Sequence, residues 1–326
     1  MVDVLGAQVY PVSDEEDDLM QHTDVPDLQN VPDVPERPLI DAALVERLVA
    51  EQFPAWSGLP VREVDVQGWD NRTYRLGDDL SVRLPSAAAY VPAVEKEQRV
   101  LPYLAPLLDV AVPEPVALGR PGSGYPFPWS VRRWLAGTVA TSADVDRSEL
   151  AAEVGGALRQ LRSVPPGDGP APGPHSFERG AHPSVYGHEV ERALTVLGDT
   201  VDQQACRRVW EAACASSWPG PGVWFHGDVA ATNLLVDGGG RLSALLDFGT
   251  CGVGDPACDL VLAWTFLDHT GRRVFRDAVR LDADTWARGR GWSLWKALIM
   301  LAGSAGPGDA ATWQAVLTAT LADPVV

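Results

Sequence analysis

Three oxygen-bearing side chains in residues 226–259 have the types and spacing that phosphoryl transfer from a nucleotide requires. Asp228 is followed five residues later by Asn233, and Asp247 opens an Asp-Phe-Gly triplet further along the chain. In such a reaction one carboxylate orients the attacking hydroxyl and takes its proton, while an amide oxygen and a second carboxylate hold Mg²⁺ on the triphosphate. The pattern therefore predicts that Asp228 is the base and that Asn233 and Asp247 are the metal ligands.

A short hairpin is expected to position these groups. Residues 224–227 have the pattern of a strand that delivers Asp228 on a loop, and the apolar run after Asn233 has the pattern of a second strand. The Asp-Gly-Gly-Gly turn at 237–240 then returns the chain toward Asp247. Asn233 and Asp247 should meet at one end of this hairpin. Two protein oxygen ligands, completed by phosphate oxygens and water, suit Mg²⁺.

Two further residues of this segment are expected to support the loop rather than to react. His226 precedes the base and can fix the loop by a hydrogen bond from its ring to a backbone group. Asp255 followed by Pro256 is a strong helix-start signal. Asp259, in the first turn of that helix, can accept N–H bonds from the catalytic loop.

Composition limits the class of protein. The 326 residues carry a net charge of −18, which argues against nucleic acid or an anionic membrane as a partner and favours cationic ligands. No run of eighteen apolar residues and no basic-then-apolar leader is present, so a cytoplasmic location is expected. The four cysteines lack the spacing of a zinc site, and neither a disulfide nor a structural metal is expected.

Three regions are predicted along the chain. Residues 1–38 are acidic and proline-rich and should form a mobile tail. Residues 39–136 should form an N-terminal lobe with a first helix capped by Asp41, five strands and one internal helix at about 91–104. Residues 137–326 should form a mainly helical lobe. Its helices are predicted at about 149–164, 186–197, 202–217, 256–267, 285–301 and 310–321.

The motifs HGDxxxxN, DFG and GDPxxDL together resemble the aminoglycoside phosphotransferase family. The similarity is specific over about residues 224–267 and weaker before them, where GWDN at 68–71, VRL at 82–84 and EKE at 95–97 match. This resemblance implies an α+β, two-lobed protein-kinase-like fold, with a five-stranded antiparallel sheet lobe and a helical lobe. It also implies ATP as the phosphoryl donor, with GTP left open because the hinge contacts are mostly backbone.

The resemblance further implies a set of nucleotide-binding residues. Residues 68–73 would cover the phosphates, position 83 would touch the α- and β-phosphates, a glutamate would pair with it, and the backbone at 134–135 would bind the purine. Of the two hinge residues, Leu135 is the better candidate. The residues assigned in this way are Gly68, Asn71, Thr73, Arg83, Glu97, Trp134 and Leu135.

Arg83 is a departure, because the family usually has lysine at this position. Only two lysines occur in the chain, so arginine is a plausible replacement, although its fork is longer and bulkier than an ammonium. Lys96 is flanked by Glu95 and Glu97 and is predicted to be a solvated helix residue.

The sequence gives less information about the residues that would bind the acceptor. Tryptophans are frequent in the helical lobe, and most are expected in the core. Trp264, one turn after Asp259, is the candidate for substrate contact, and Glu189 is a candidate acidic group for an amino sugar.

The leading hypothesis is an ATP-dependent kinase for a hydroxyl of a small molecule, with an aminoglycoside or related antibiotic first and antibiotic resistance as one biological setting. A macrolide, homoserine, choline or a sugar stays open as acceptor. A nucleotide-binding scaffold without catalysis, marked by Arg83, is the alternative from another class. A protein kinase is disfavoured because GDPACDL begins within five positions of Thr250, which leaves no room for an activation loop. Monomer and dimer are both open.

Overall fold

The structure is a computed structural model that describes residues 38–65, 67–68, 70–304 and 310–323. The predicted tail falls outside these residues, except for Pro38. The described chain forms two compact units, one from residues up to 94 together with 115–134, the other from 95–114 together with residues from 135 onward. The predicted lobes divided the chain at 136/137 instead, with 95–114 in the first lobe.

The first unit is a five-stranded antiparallel sheet with a helix that shares its core. Helix α1 spans Ala42–Gln52, and the strands are β1 Val61–Glu63, β2 Asn71–Leu76, β3 Leu80–Pro85, β4 Pro115–Gly119 and β5 Trp129–Arg133, in the order β1-β2-β3-β5-β4. Asp41 caps α1 by accepting a hydrogen bond from the N–H of Leu44 at 2.7 Å. Alternate residues of the strands turn inward, so that Val82 and Trp129 pack with Leu48 of α1.

Helix α2 spans Val91–Leu104, as predicted, but most of it belongs to the second unit. Its apolar residues Val100, Leu101 and Leu104 are buried in the core of that unit together with Val112. This burial explains the reassignment of residues 95–114. Strand β4 begins after the buried Val112, at Pro115.

The second unit is mainly helical and carries two small sheets. Its helices are α3 Arg147–Ser163, α4 Gly187–Leu197, α5 Gln203–Cys214, α6 Leu262–Thr265, α7 His269–Val279, α8 Ala283–Ile299 and α9 Ala310–Ala322. Strands β6 Thr138–Val139, β8 Leu234–Val236 and β9 Leu242–Leu245 form one antiparallel sheet, and β7 Val223–Phe225 pairs with β10 Gly252–Gly254. None of the helices within the described residues is long and apolar enough to cross a membrane.

Two features of the second unit differ from the sequence prediction. Helix α7 was not predicted, because its segment is rich in charged residues and buries only a narrow apolar side, which includes Phe275 and Val279. Residues Pro256–Val261 form a 3₁₀ helix rather than α-helix, although Asp255 caps it as expected by accepting the N–H of Ala257 at 3.0 Å. The tighter 3₁₀ turn is common at the start of an α-helix.

Candidate active site

The backbone of the loop that carries Asp228 is hydrogen-bonded to a buried carboxylate. Asp259, 2% exposed, accepts hydrogen bonds from the backbone N–H groups of His226 at 2.9 Å and Gly227 at 2.7 Å. Burial raises the pKa of Asp259, whereas His226 and the two N–H donors oppose the rise. Gly227 has a φ of 89°, and a Cβ there would lie 2.7 Å from the carbonyl oxygen of Thr250. The turn before Asp228 therefore requires glycine as well as the hydrogen bonds to Asp259.

His226 joins the two ends of the catalytic segment. Its Nδ1 accepts the backbone N–H of Asp228 at 3.2 Å, so the ring proton is on Nε2, which lies 2.8 Å from the carbonyl oxygen of Leu246. The ring also packs against Phe248. His226 thus fixes the loop before Asp228 to the residue before Asp247, and both of its ring nitrogens are used for this support.

Asn233 orients the carboxylate of Asp228. Its Nδ2 donates to the Asp228 carbonyl oxygen at 3.0 Å and to Asp228 Oδ2 at 3.2 Å. The side-chain nitrogen is therefore directed at the base, which leaves Oδ1 as the end of the amide suited to a cation. Asp228 itself is 9% exposed.

Asp247 lies at the same end of the hairpin as Asn233. Leu234 is paired with Leu245, and the N–H of Leu246 donates to the carbonyl oxygen of Asn233 at 2.8 Å. Asp247 follows with a left-handed φ of 60°, and its Oδ1 accepts the N–H of Gly249 at 3.3 Å. A left-handed residue outside glycine is sparsely populated and requires support from its surroundings.

The donor set fits Mg²⁺ on a nucleotide rather than a metal held by protein alone. Asn233 and Asp247 lie at the same end of the hairpin, and no group of three or more His, Cys, Asp or Glu that could hold a metal exists in the described part of the chain. Mg²⁺ commonly takes one or two protein oxygens and completes its shell with phosphates and water.

Lys296 is a contact of Asp228 that sequence reasoning missed. Its Nζ lies 3.4 Å from Asp228 Oδ1, and the two side chains are only 15% and 10% exposed. Lys296 is near the end of α8, far from Asp228 in the sequence. The scarcity of lysine in an arginine-rich chain was the one available signal, because a retained lysine is a candidate for a specific role.

The prediction that Lys96 is solvated was wrong. Lys96 is 6% exposed, and its Nζ lies 3.1 Å from His175 Nδ1 and 3.0 Å from the His175 carbonyl oxygen. Because an ammonium has only donors, Nδ1 must accept, and the Nε2 proton is directed at the carbonyl oxygen of Ala171 at 2.8 Å. Burial lowers the pKa of Lys96, although nearby Glu97 and Asp247 oppose this change.

The residues assigned to the phosphates lie in the first unit, on β2, β3 and the loop before them. The side-chain amide of Gln67, which the sequence analysis did not single out, pairs with the backbone of Thr73: its Nε2 donates to the Thr73 carbonyl oxygen at 2.8 Å and its Oε1 accepts the Thr73 N–H at 2.8 Å. Gly68 contributes its carbonyl oxygen to Arg72 at 3.3 Å, and Asn71 begins β2. Arg83 lies opposite Thr73 in the β2–β3 register.

The hinge residues differ in their backbone partners. The N–H of Trp134 donates to the carbonyl oxygen of Asp79 at 2.8 Å, so this donor is already used within the first unit. The Trp134 ring lies under the Arg75 guanidinium, 4.9 Å from centroid to Cζ. Leu135 stays the better candidate for the purine. Glu97 is buried on α2, and its pairing with Arg83 stays a prediction.

The two acceptor candidates have different surroundings. Trp264 is 3% exposed, packs against Trp286 and donates from Nε1 to Asp323 Oδ2 at 3.1 Å. It therefore belongs to the core, and the prediction that it contacts the substrate is corrected. Glu189 is partly exposed on α4, and its Oε2 accepts the indole N–H of Trp295 at 2.8 Å.

Comparison with known proteins identifies the family of the chain. Residues 61–292, well over half of the chain, match the model of the APH phosphotransferase enzyme family. Over 72 residues the chain is 35% identical to the uncharacterized protein YcbJ of Bacillus subtilis (strain 168), a match that covers 22% of this chain and spans only 24% of that protein.

Similar solved structures include two antibiotic phosphotransferases. The GDP complex of aminoglycoside 2'-phosphotransferase-IIIa aligns with a TM-score of 0.63 at 17% identity, over 86% of this chain and 99% of that one. The macrolide 2'-phosphotransferase MphH from Brachybacterium faecium aligns with a TM-score of 0.56 at 25% identity, over 87% and 98%. The predicted α+β, protein-kinase-like fold is confirmed. The chain therefore belongs to the phosphotransferase enzyme family, as its motifs predicted.

Proposed function

We propose that the protein transfers the γ-phosphoryl group of ATP to a hydroxyl of a small molecule, with Asp228 as the base. The observation that carries this proposal is the convergence of Asn233 and Lys296 on the Asp228 carboxylate, one on each oxygen. A carboxylate fixed in this way can meet an acceptor hydroxyl in one orientation, and alignment is the main contribution that such an enzyme makes to phosphoryl transfer.

The reaction balances around this carboxylate. The acceptor oxygen forms a bond to the γ-phosphorus, and the bond from that phosphorus to the β,γ-bridging oxygen breaks, with its electron pair leaving on the nucleoside diphosphate. The hydroxyl proton passes to Asp228. Mg²⁺, held through Asn233 and Asp247, supplies neutralisation of the phosphate charge when bound. His226 and Asp259 take no proton in this scheme, because their polar atoms hold the loop.

The nucleotide would be bound by the residues of the first unit. Gln67 bonds to both backbone groups of Thr73, Gly68 follows Gln67, Asn71 begins β2, and Arg83 lies opposite Thr73 in the next strand. The GDP complex of a similar fold keeps GTP open as a second donor. Leu135 is the proposed backbone contact for the purine.

For the acceptor, we propose an aminoglycoside or a related antibiotic. Structures of similar fold include a gentamicin complex and a streptomycin–ATP complex of other phosphotransferases. A macrolide is the second candidate, because the macrolide phosphotransferase MphH has the higher identity of 25%. Glu189 is the proposed acidic contact for an amino group.

The test combines a panel of acceptors with two variants of the base. Purified protein with Mg²⁺ and labelled ATP or GTP is offered kanamycin, gentamicin, streptomycin, a macrolide, choline, homoserine and a neutral sugar. Asp228→Asn and Asp228→Ala should lower turnover by roughly 10²–10⁴-fold while nucleotide affinity changes little. Near-normal transfer by Asp228→Ala would refute the assignment of the base. Mg²⁺-dependent nucleotide binding without transfer to any acceptor or to water would favour the catalytically inactive alternative.

A further inference from the structure

Helix α8, which carries Lys296, packs against the segment that carries Asp259. In α8, Arg288 is fully buried and donates from Nε to Asp255 Oδ2 at 2.6 Å. Asp255 caps the 3₁₀ segment that contains Asp259. Gly289 brings the two elements close, because a Cβ at this position would lie 2.7 Å from the Leu260 Cβ. Helix α8 and the 256–261 segment therefore form one unit of packing.

The far end of α8 is also fixed. The Trp295 ring stacks on Tyr186 with a centroid separation of 4.2 Å, and its indole N–H donates to Glu189. The Arg179 guanidinium lies 4.8 Å above the same Trp295 ring. Lys296 follows immediately, so its Cα position is determined by this cluster of aromatic and charged side chains.

Two residues of this packed region, Asp259 and Lys296, therefore fix the position of Asp228. Asp259 holds the backbone just before the base, and Lys296 contacts the carboxylate itself, at Oδ1. Both side chains of the Lys296–Asp228 pair are largely buried, so their interaction is screened less by water and salt than that of a surface pair.

We propose that Lys296 is a positioning residue for the catalytic base, an inference that rests on the proposed function. Its ammonium fixes the direction of Asp228 Oδ1 and compensates the negative charge of this carboxylate when the Mg-triphosphate brings further negative charge to the site. Asn233 fixes the other oxygen. The carboxylate is therefore oriented before the acceptor binds.

The test is a double-mutant cycle on turnover with Lys296→Met, Asp228→Asn and the double variant. Lys296→Met should lower kcat by roughly 10–100-fold and change the KM for nucleotide by less than about 3-fold. Lys296→Arg should restore most of the loss, because it keeps the charge. In the Asp228→Asn background, Lys296→Met should have an effect of less than about 2-fold.

The control is Arg273→Met, which removes one positive charge at an exposed position of α7. It should leave kcat unchanged. An unchanged kcat for Lys296→Met, or an equal loss in the Asp228→Asn background, would overturn the inference, since either result shows that Lys296 does not act through Asp228.

Thermal unfolding of the same four proteins separates positioning from a purely structural role. Coupling between Lys296 and Asp228 in stability with none in kcat would make Lys296 a structural brace and would overturn the proposal. Failure of the proposed function gives a different result, namely no transfer by the wild-type protein to any acceptor or to water.

Discussion

The segment 226–259 and the β2–β3 hairpin 71–85 are built in different ways. In the first, functional side chains hold one another: Asp259 holds the backbone of His226, His226 holds Asp228, and Asn233 holds the Asp228 carboxylate. In the second, strand register and backbone bonds set the geometry, and Gln67 supplies the side-chain contacts to Thr73. Where side chains hydrogen-bond to one another, the residue type is restricted at each of those positions. Where strand register sets the geometry, the residue type is restricted at few positions. The motif is therefore strong in one segment and weak in the other.

Removal of the Asp259 carboxylate should have the largest effect on stability, because this group accepts the hydrogen bonds that hold the backbone of His226 and Gly227. Asp259→Ala leaves two buried backbone N–H groups without an acceptor, at a cost of roughly 2–5 kcal/mol in the free energy of unfolding. Asp259→Asn keeps one acceptor oxygen and should lose about half as much. Urea unfolding measures both. Wild-type stability in Asp259→Ala would show that the loop does not depend on its neighbours in this way.

Arg83 tests whether the β2–β3 segment contributes charge as well as shape. Arg83→Met should lower kcat/KM for the nucleotide by roughly 10²-fold, because a cation at the phosphates is lost. Arg83→Lys should stay within about 10-fold of the wild type, since it retains the charge but not the fork. The comparison uses steady-state kinetics with nucleotide varied. Equal activity of the Met and wild-type proteins would remove Arg83 from the phosphate site.

A variant of Gln67 tests whether nucleotide binding depends on the pairing of its side-chain amide with the backbone of Thr73. Gln67→Leu removes both bonds to Thr73 and should raise the KM for nucleotide several-fold, with a smaller change in kcat and a loss of stability of about 1 kcal/mol. Gln314→Leu, at an exposed position of α9, is the matched control. A KM equal to that of the control would show that nucleotide binding does not depend on the contact between Gln67 and Thr73.

His175 should give the smallest effect, as a pH dependence of stability. Burial, with a contribution from the Lys96 ammonium, lowers the pKa of His175 in the folded protein. As the pH falls, the unfolded chain therefore takes up this proton first, so stability is complete above about pH 6.5 and is lost as the pH falls through the folded-state pKa. Thermal unfolding at several pH values should show a weaker dependence for His175→Gln than for His188→Gln, which alters an exposed histidine. Equal dependence would contradict the Lys96–His175 contact.

The same physical division separates the elements that the sequence predicts from those that it does not. The hairpin was predicted because an Asp-Gly turn between apolar runs is a local signal, and the structure pairs Leu234 with Leu245 as that pattern requires. Helix α7 was missed because its charged segment becomes a helix through burial of Phe275 and Val279, with Phe275 packed on Trp286. Trp264 was placed near the substrate from its distance to Asp259 along the chain, and that distance carries no information on burial.

The sequence by itself determined the family, the protein-kinase-like fold class and the identity of the groups proposed for catalysis, because these groups lie within one short segment whose spacing is fixed by local structure. Only the tertiary structure decided the contacts of the two lysines. Lys96 is buried against His175, and Lys296 is brought to Asp228 by a helix anchored at Asp255. Both contacts join residues that are distant in the chain, and no local pattern encodes them because they depend on how packed helices are placed.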